Sequence, residues 1–311
     1  MERVTNFLLN EIKLSTEDII IIGVSFGPDS MCLLDILNKI KENINFKIVC
    51  AHINHNIRKA SYKEEESLKK YCVEKKLIFE TMTIEKYSDD NFHNEARNIR
   101  YDFFKELARK YKANYIVTGH HGDDLIETIL MRIVRGSTLS GYAGFKQVIN
   151  LGEYKLIRPL ITMTKADILK YNKINNVPYA VDASNKNNNY TRNRYRKNIL
   201  PFLKKEEALV HEKFLKFSET LSFYDDHIKK ETNNYILKVL KSNKLDIKKF
   251  NSLDFIWQKN IINNILKKFY QDDLIFINDK HTNLILDIIN SNKSNTYIYL
   301  PNNVLVSKSY N

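Results

Sequence analysis

One run of residues near the start constrains this chain most. Ile19–Val24 is aliphatic and strand-like, and it passes through Ser25-Phe26-Gly27-Pro28-Asp29-Ser30 straight into an apolar helical stretch, Met31–Ile40. The same alternation continues to about residue 185. Phe46–Ile53, Leu77–Ile84 and Asn114–Thr118 read as further strands. Between them, Ser61-Tyr62-Lys63-Glu64 is a capping-box signature opening a helix to about Lys75. Ala96, Ile99, Phe103 and Leu107 give Asn94–Lys110 one apolar face, and Asp123–Val134 is helical again. Strands alternating with helices predict an α/β fold: a doubly wound, mainly parallel, Rossmann-like sheet with ligands at the carboxyl ends of its strands.

After Pro201 the texture changes. Residues 203–290 are helix-like, with Phe214, Phe217, Leu221 and Tyr224 on one apolar face and Ile261, Ile262, Ile265, Leu266 and Phe269 on another. Thr296–Leu300 and Val304–Val306 read as a closing hairpin around Pro301-Asn302-Asn303. The expected division is 1–205 for the α/β domain and 206–311 for a smaller, mainly helical one. No internal repeat interrupts this pattern, and Asn185–Asn189 is a loop by composition.

Charge follows the same division. The formal net charge is +12, which suits a polyanionic partner. Residues 1–205 carry 34 Lys/Arg against 24 Asp/Glu, and residues 206–311 carry 15 against 13. Every arginine lies at or before Arg196 and every glycine at or before Gly152. Arginine's planar fork suits phosphate, and glycine lets backbone approach a ligand, so the chemistry belongs to the first domain. An Asn/Lys/Ile-rich composition that favours lysine generally is the plainer alternative. The longest aliphatic stretch near the start, Ile19–Ile22, is too short to span a bilayer, and no leader is expected. Cys32, Cys50 and Cys72 lie on different elements without a C-x-x-C pair, so they read as reduced, buried and cytoplasmic.

The loop Ile22-Gly23-Val24-Ser25-Phe26-Gly27-Pro28-Asp29-Ser30-Met31 aims backbone N–H groups and a helix N-terminus at one point, with serine hydroxyls as further donors. Pro28 fits the first helical turn, where its missing N–H costs nothing. A Walker A loop would end in Gly-Lys-Ser/Thr, and this one does not. Asp29 among phosphate ligands makes sense if it holds Mg²⁺. A tight strand-to-helix turn without ligand is the plainer alternative.

Further blocks follow in order: Ala51-His52-Ile53-Asn54-His55-Asn56-Ile57-Arg58, Asn94-Glu95-Ala96-Arg97-Asn98-Ile99-Arg100-Tyr101, then Thr118-Gly119-His120-His121-Gly122-Asp123-Asp124-Leu125-Ile126-Glu127. After these come Arg132-Ile133-Val134-Arg135-Gly136, Ile157-Arg158-Pro159-Leu160, Asp182-Ala183-Ser184-Asn185 and Thr191-Arg192-Asn193-Arg194. The first loop resembles the S-G-G-x-D-S loop of the PP-loop ATP pyrophosphatase superfamily. The ordered set is similar to the tRNA(Ile)-lysidine synthetase family, densely over about residues 18–203, with the helical tail similar to its tRNA-binding domain.

That resemblance implies an enzyme that adenylates C2 of the wobble cytidine of tRNA(Ile) with a CAU anticodon, then attaches free L-lysine. ATP is then a co-substrate with Mg²⁺ held through Asp29, and a homodimer is allowed. Ser25, Phe26, Gly27, Pro28, Asp29 and Ser30 would cradle the phosphates, with His52 and His55 near the nucleotide or merely packed. Arg100 and Arg192 would neutralise phosphate or the developing charge on the base oxygen. His120 would contact the ATP side, and Asp124 and Glu127, three apart on one helical face, the lysine side. A lysine amine must lose a proton to become a nucleophile, so clustered carboxylates can bind and then deprotonate it.

Arg192, Arg194, Arg196 and Lys197, interleaved with Tyr190 and Tyr195, would grip single-stranded RNA; a plain basic helix surface is the alternative. Helix N-capping is the competing role for Asp123 and Asp124, more so for Asp123. A zinc site at His120 and His121 lacks a cysteine or third spaced histidine. Phe26 replaces the usual glycine of the loop; with the later blocks kept, the expectation is a negative φ and a ring packed aside. Separated cysteines argue against a thiolase, the rival enzyme of this superfamily, and an RNA- or nucleotide-binding module without catalysis is the other alternative.

Overall fold

The computed structural model describes residues 2–56, 60–85, 87, 92–180, 191–270 and 279–309. Asp182–Asn185, the loop 185–189, Tyr190 and Ile57-Arg58 lie outside them. In chain order come α1 (Glu2–Asn6), a π-helical turn (Phe7–Glu11), β1 (Ile19–Gly23), α2 (Pro28–Ile44), β2 (Lys47–Asn54), α3 (Ala60–Glu74), β3 (Ile78–Thr83) and α4 (Phe92–Tyr111). They continue as β4 (Tyr115–Val117), α5 (Gly122–Arg135), α6 (Leu139–Tyr142), β5 (Val148–Asn150), β6 (Lys155–Ile157) and α7 (Lys165–Ile174). A helical run then joins α8 (Thr191–Arg194), a π turn (Tyr195–Ile199) and α9 (Leu200–Glu206). The α3 helix begins at Ala60, one residue before the expected cap Ser61, a difference within the usual fraying of helix ends.

Six strands form one sheet in the order β3-β2-β1-β4-β6-β5, parallel except for β5 against β6. The chain builds outward from β1 through β2 to β3, then returns to place β4 on the other side of β1. That reversal is the topological switch point, where the carboxyl ends of β1 and β4 part and leave a crevice. Period-two alternation supplies both faces. Ile20 and Ile22 of β1 pack with Met31, Leu34 and Leu37 of α2 in one core. Ile21 packs with Phe103, Phe104 and Leu107 of α4 in the other.

The chain separates into two compact units, residues 1–222 and 223–311. The change of texture near 203–210 precedes that division because α9 and the first turns of α10 (Val210–Val239) pack onto α5. Leu200, Leu203, Val210 and Phe214 meet Ile126 there. The second unit contains the rest of α10, a small hairpin of β7 (Leu240–Lys241) and β8 (Lys244–Leu245), α11 (Ile247–Asn251), α12 (Phe255–Tyr270), α13 (Asp279–Asn290), and the antiparallel β9 (Asn295–Leu300) and β10 (Val304–Ser309). Its core gathers Ile236, Val239, Phe250, Ile261, Ile262, Leu266, Leu286 and Leu300.

Two expected apolar faces are corrected. Phe217, Tyr224 and Phe269 are exposed. The buried stripe of α10 carries Val210, Ser218, Ser222, Asp225, Thr232 and Ile236, so small polar residues hold inward positions that a reading by apolarity passes over.

Candidate active site

The loop after β1 is held by its own polar atoms. Val24 N–H donates to Ala51 O (2.9 Å), prolonging the pairing with β2 by one residue. Ser30 Oγ donates to Gly27 O (3.0 Å) and accepts from Ser25 N–H (3.2 Å). Gly27 caps α2 at φ −78°, ψ 163°, with Pro28 in the first turn, so the early amides of α2 have no intrahelical acceptor and point outward. From α7, Asn172 Nδ2 donates to Pro28 O (2.9 Å). Phe26, expected at negative φ, adopts φ +60°. Its ring packs aside as expected, 8% exposed in the α2 core, and its carbonyl accepts from Ala180 N–H (2.9 Å). Burial of the ring therefore holds a β-carbon in the left-handed region that glycine ordinarily occupies.

The turn after β4 lies directly against this loop. A β-carbon on Gly119 would come within 3.2 Å of Asp29 C and Ser30 N, so glycine sets the approach. Beyond it His121, in extended conformation, caps α5, and its N–H donates to Asp124 Oδ2 (3.2 Å). Capping thus falls on His121 and Asp124, not on Asp123. Asp123 instead accepts from Lys204 Nζ (2.8 Å) and from His211 Nε2, and those bonds hold its carboxyl well below the usual range although burial opposes them.

His121, which the sequence alone offers only as an unsupported zinc ligand, joins the two halves of the crevice. Its Nε2 lies 3.7 Å from Asp29 Oδ1 and 3.4 Å from Asp124 Oδ2. Lys165 Nζ, from the start of α7, pairs with Asp29 Oδ1 at 2.6 Å. Asp29 and Asp124 therefore face one chamber. Around it lie Ser25, Gly27, Ser30, His55, Arg100, Tyr101, Phe104, Gly119, His120 and Arg192, lining a cleft of about 340 Å³.

The remaining candidates distribute as follows. His55 faces the cleft beside Tyr87, and burial, Arg100 and His52 lower its pKa to about 4. His52 is buried behind the loop with Nδ1 2.8 Å from Val24 O, so it supports the loop from outside the cleft lining. His120 Nδ1 lies 2.9 Å from Thr118 Oγ1. Burial lowers His120 to about 4; Asp124 opposes that shift, while Arg158, Arg97 and Arg192 add to it. Both histidines are therefore neutral near pH 7.

Arg192 Nε sits 3.4 Å from Glu127 Oε2, and its Nη2 donates to Thr128 Oγ1 (2.8 Å). Arg194 and Lys197 are exposed, and Arg194 Nη2 reaches Thr191 Oγ1 (3.1 Å). Arg196, expected on RNA with them, turns inward: Nε and Nη2 fork onto Glu127 (2.7 and 3.1 Å) and Nη2 onto Asp124 Oδ1 (3.2 Å). Burial raises the pKa of Glu127 despite Arg196, whereas the positive neighbours of Asp124 outweigh its burial and lower it. Two carboxylates one turn apart thus hold protons differently.

Cys50 and Cys72, on β2 and α3, are less isolated than their spacing implied: they meet in the core, and burial with a Cys72 hydrogen bond pushes the Cys50 thiol well up. Burial likewise raises Cys32 to about 12. Such thiols are protonated and inert, and none of the three lines the cleft.

A family model described as a PP-loop domain matches residues 1–203. The tRNA(Ile)-lysidine synthase of Bacillus cereus (strain ATCC 14579) is 36% identical over 323 residues, covering 100% of this chain and 68% of that protein. The bifunctional protein TilS/HprT of Listeria innocua is 34% identical over 319 residues, covering 100% of this chain and 49% of that protein. The chain thus spans about half to two thirds of the length of these curated relatives. Among solved structures, the U34-tRNA thiolase NcsA of Methanococcus maripaludis superposes with a TM-score of 0.62 at 18% identity, over 71% of this chain and 76% of that one, which is a likeness of fold. With its loop, strand order and sequence identity in agreement, the chain belongs to the tRNA(Ile)-lysidine synthase family of PP-loop proteins.

Proposed function

We propose that this chain converts the wobble cytidine of tRNA(Ile) with a CAU anticodon to lysidine, using ATP and free L-lysine and releasing pyrophosphate and AMP. The C2 oxygen of the base attacks the α-phosphorus and pyrophosphate leaves. The lysine side-chain amine then adds to C2, the oxygen departs with AMP, and the amine gives up a proton. One observation carries the reading: Asp29 of the phosphate loop and Asp124 of the acidic cluster flank a single buried imidazole, His121, at the sheet's switch point.

The outward amides of α2, with Ser25, Gly27 and Ser30, cradle the phosphates of ATP. Phe26 and Pro28 shape that cradle, and His55 borders it. A partly exposed carboxylate beside phosphate oxygens is the donor set Mg²⁺ prefers, so Asp29 fits that ion; it would neutralise the departing pyrophosphate. Arg100 and Arg192 stabilise charge on the phosphate and on the base oxygen. Neutral His120 offers a hydrogen bond without adding charge. Asp124, kept ionised, seats the lysine ammonium, and Glu127, one turn behind it with a raised pKa, would receive the proton the amine releases once Arg196 moves off it. Arg194 and Lys197, with Arg196 and Arg192 beside them, form the basic approach for the anticodon loop.

The purified chain, incubated with ATP, Mg²⁺, labelled lysine and this tRNA, is expected to yield lysidine on nucleoside analysis. Absence of lysine from the RNA overturns the reading, and sulfur transfer or RNA binding without pyrophosphate release would favour the rivals. The inert cysteines speak against the first of these. They also suit a reducing, cytoplasmic setting, and among the described residues no helix is long and apolar enough to cross a membrane. A homodimer, allowed by the family resemblance, is open to sedimentation.

A further inference from the structure

A Walker A loop carries a lysine that reaches the outer phosphates of its nucleotide, and the loop after β1 has none. The fold supplies one from elsewhere. Lys165, 136 residues further on at the start of α7, ends with its Nζ 2.6 Å from Oδ1 of Asp29, which is part of the cleft wall.

Neither helix needs this pair for its own stability. A cation in the first turn of a helix opposes the macrodipole, so Lys165 is unfavourably placed for α7. That end is already capped by Thr164 and Asp167, each accepting from the other's N–H (3.1 and 2.9 Å). Asp29 lies in the first turn of α2, where the macrodipole favours a carboxylate without help. Other bonds fix α7 against α2: Asn172 Nδ2 donates to Pro28 O (2.9 Å), and Tyr171 Oη to Asp35 Oδ2 (2.6 Å). Those contacts set where the ammonium stands. With both side chains 31% exposed, the pair itself adds little to the fold.

The nucleotide has a use for this charge. When the base oxygen attacks the α-phosphorus, the bond from that phosphorus to the bridging oxygen breaks, and the pyrophosphate leaves with the electron pair. Arg100 and Arg192 serve the α-phosphate and the base oxygen. The amides of α2 and the loop serines donate hydrogen bonds to the outer phosphates but bring no full charge. An ammonium is a compact charge with three donors on a flexible stem, so it can keep one hydrogen bond to Asp29 and give the others to phosphate.

We propose that Lys165 is a catalytic residue of the adenylation step: held by Asp29, its ammonium binds the outer phosphates of ATP and stabilises the pyrophosphate as it leaves. The assignment rests on the lysidine-forming reading.

Calorimetric binding separates this role from that of a structural pair, with AMP, which lacks the outer phosphates, as the control. Lys165→Met should weaken ATP binding in the presence of Mg²⁺ about thirtyfold, the scale of one charge-assisted hydrogen bond, and leave AMP within about twofold. Lys165→Arg, which keeps the charge, should recover most of that loss. In turnover, Lys165→Met should lower kcat for lysidine by at least about tenfold while the KM for tRNA holds, since charge on the leaving group is greatest in the transition state.

Unchanged ATP affinity in Lys165→Met overturns the proposal. So does equal weakening of ATP and AMP, which would give Lys165 a purely structural role in the loop. If Lys165→Met loses its cooperative thermal transition, the intact chain decides. Acetylation of Lys165 by acetic anhydride, followed by peptide mass spectrometry, should be slowed by pyrophosphate with Mg²⁺ and not by AMP; equal labelling with and without pyrophosphate overturns the assignment. An intact chain that shows this binding pattern yet never incorporates lysine overturns the lysidine reading and supports the phosphate contact. One that binds no ATP overturns both.

Discussion

Adjacent aspartates at the start of α5 have opposite work, and substitutions should separate them. Asp123 is buried between His211 and Lys204 and ties α5 to α9 and α10. Asp123→Ala leaves two donors without their acceptor, so the expected loss is about 3–5 kcal/mol of stability, read by denaturant unfolding. Asp124→Asn keeps the cap's oxygen and most of the packing but removes the charge facing the chamber. Lysidine formation should fall at least about a hundredfold with the unfolding midpoint nearly unchanged. Equal effects of the two substitutions on both measurements would refute the division. Phe26 poses a different balance. Its left-handed backbone costs about 1–2 kcal/mol, while a buried phenylalanine ring is worth about 3–5 kcal/mol on truncation. Phe26→Gly should therefore destabilise the chain by about 2 kcal/mol, and a more stable variant would show that the ring contributes little.

At the scale of elements, the strand–loop–helix unit and the turn after β4 work as one piece because Gly119 lets them touch. Gly119→Ala places a methyl 3.2 Å from the backbone of Asp29 and Ser30, which must move by a few tenths of an ångström. Since misplacement on this scale is enough to weaken catalysis by ten- to a hundredfold, the KM for ATP should rise and kcat fall, with the melting temperature little changed. An unaltered KM would mean the loop tolerates the shift. Much of this level was legible in the residues. Aliphatic runs located β1 to β4, and the loop blocks put Asp29 and Asp124 after the first and fourth strands; that these strands are neighbours follows from the sheet order. Strands β5 and β6 were not legible: β4, equally short, is apolar and buried throughout, whereas Val148–Asn150 and Lys155–Ile157 each carry a polar, exposed residue that breaks the aliphatic run. Nor was the inward turn of Arg196: a basic, aromatic-interleaved segment reads as an RNA surface, and only tertiary packing brings its guanidinium onto buried Glu127. His121 and Lys165 escaped for the same reason, since their partner Asp29 is distant in sequence.

For the molecule as a whole, charge and pH act through different groups. His55 and His120 each sit near pKa 4 in the fold against about 6.5 in an unfolded chain. Between those values the unfolded chain binds protons that the folded one refuses, so stability rises with pH from about 4 to 6.5 and levels off above. Thermal melting followed across that range should climb, and His120→Gln should flatten part of the climb; an unchanged slope would mean that His120 is protonated in the fold. Association with the proposed tRNA substrate would draw instead on the exposed cations. All arginines belong to the first unit, and exposed Arg194 and Lys197 lie on the run beside the chamber, whereas Lys229 in the second unit is already engaged with Asp225. If Arg194 and Lys197 each meet a phosphate, replacing both with alanine should reduce the slope of log K against log salt by about one to two, with little change in kcat at saturating tRNA. Lys229→Ala should leave that slope nearly as it was. A larger effect at Lys229 than at the pair would place the main electrostatic grip in the second unit and reverse the assignment.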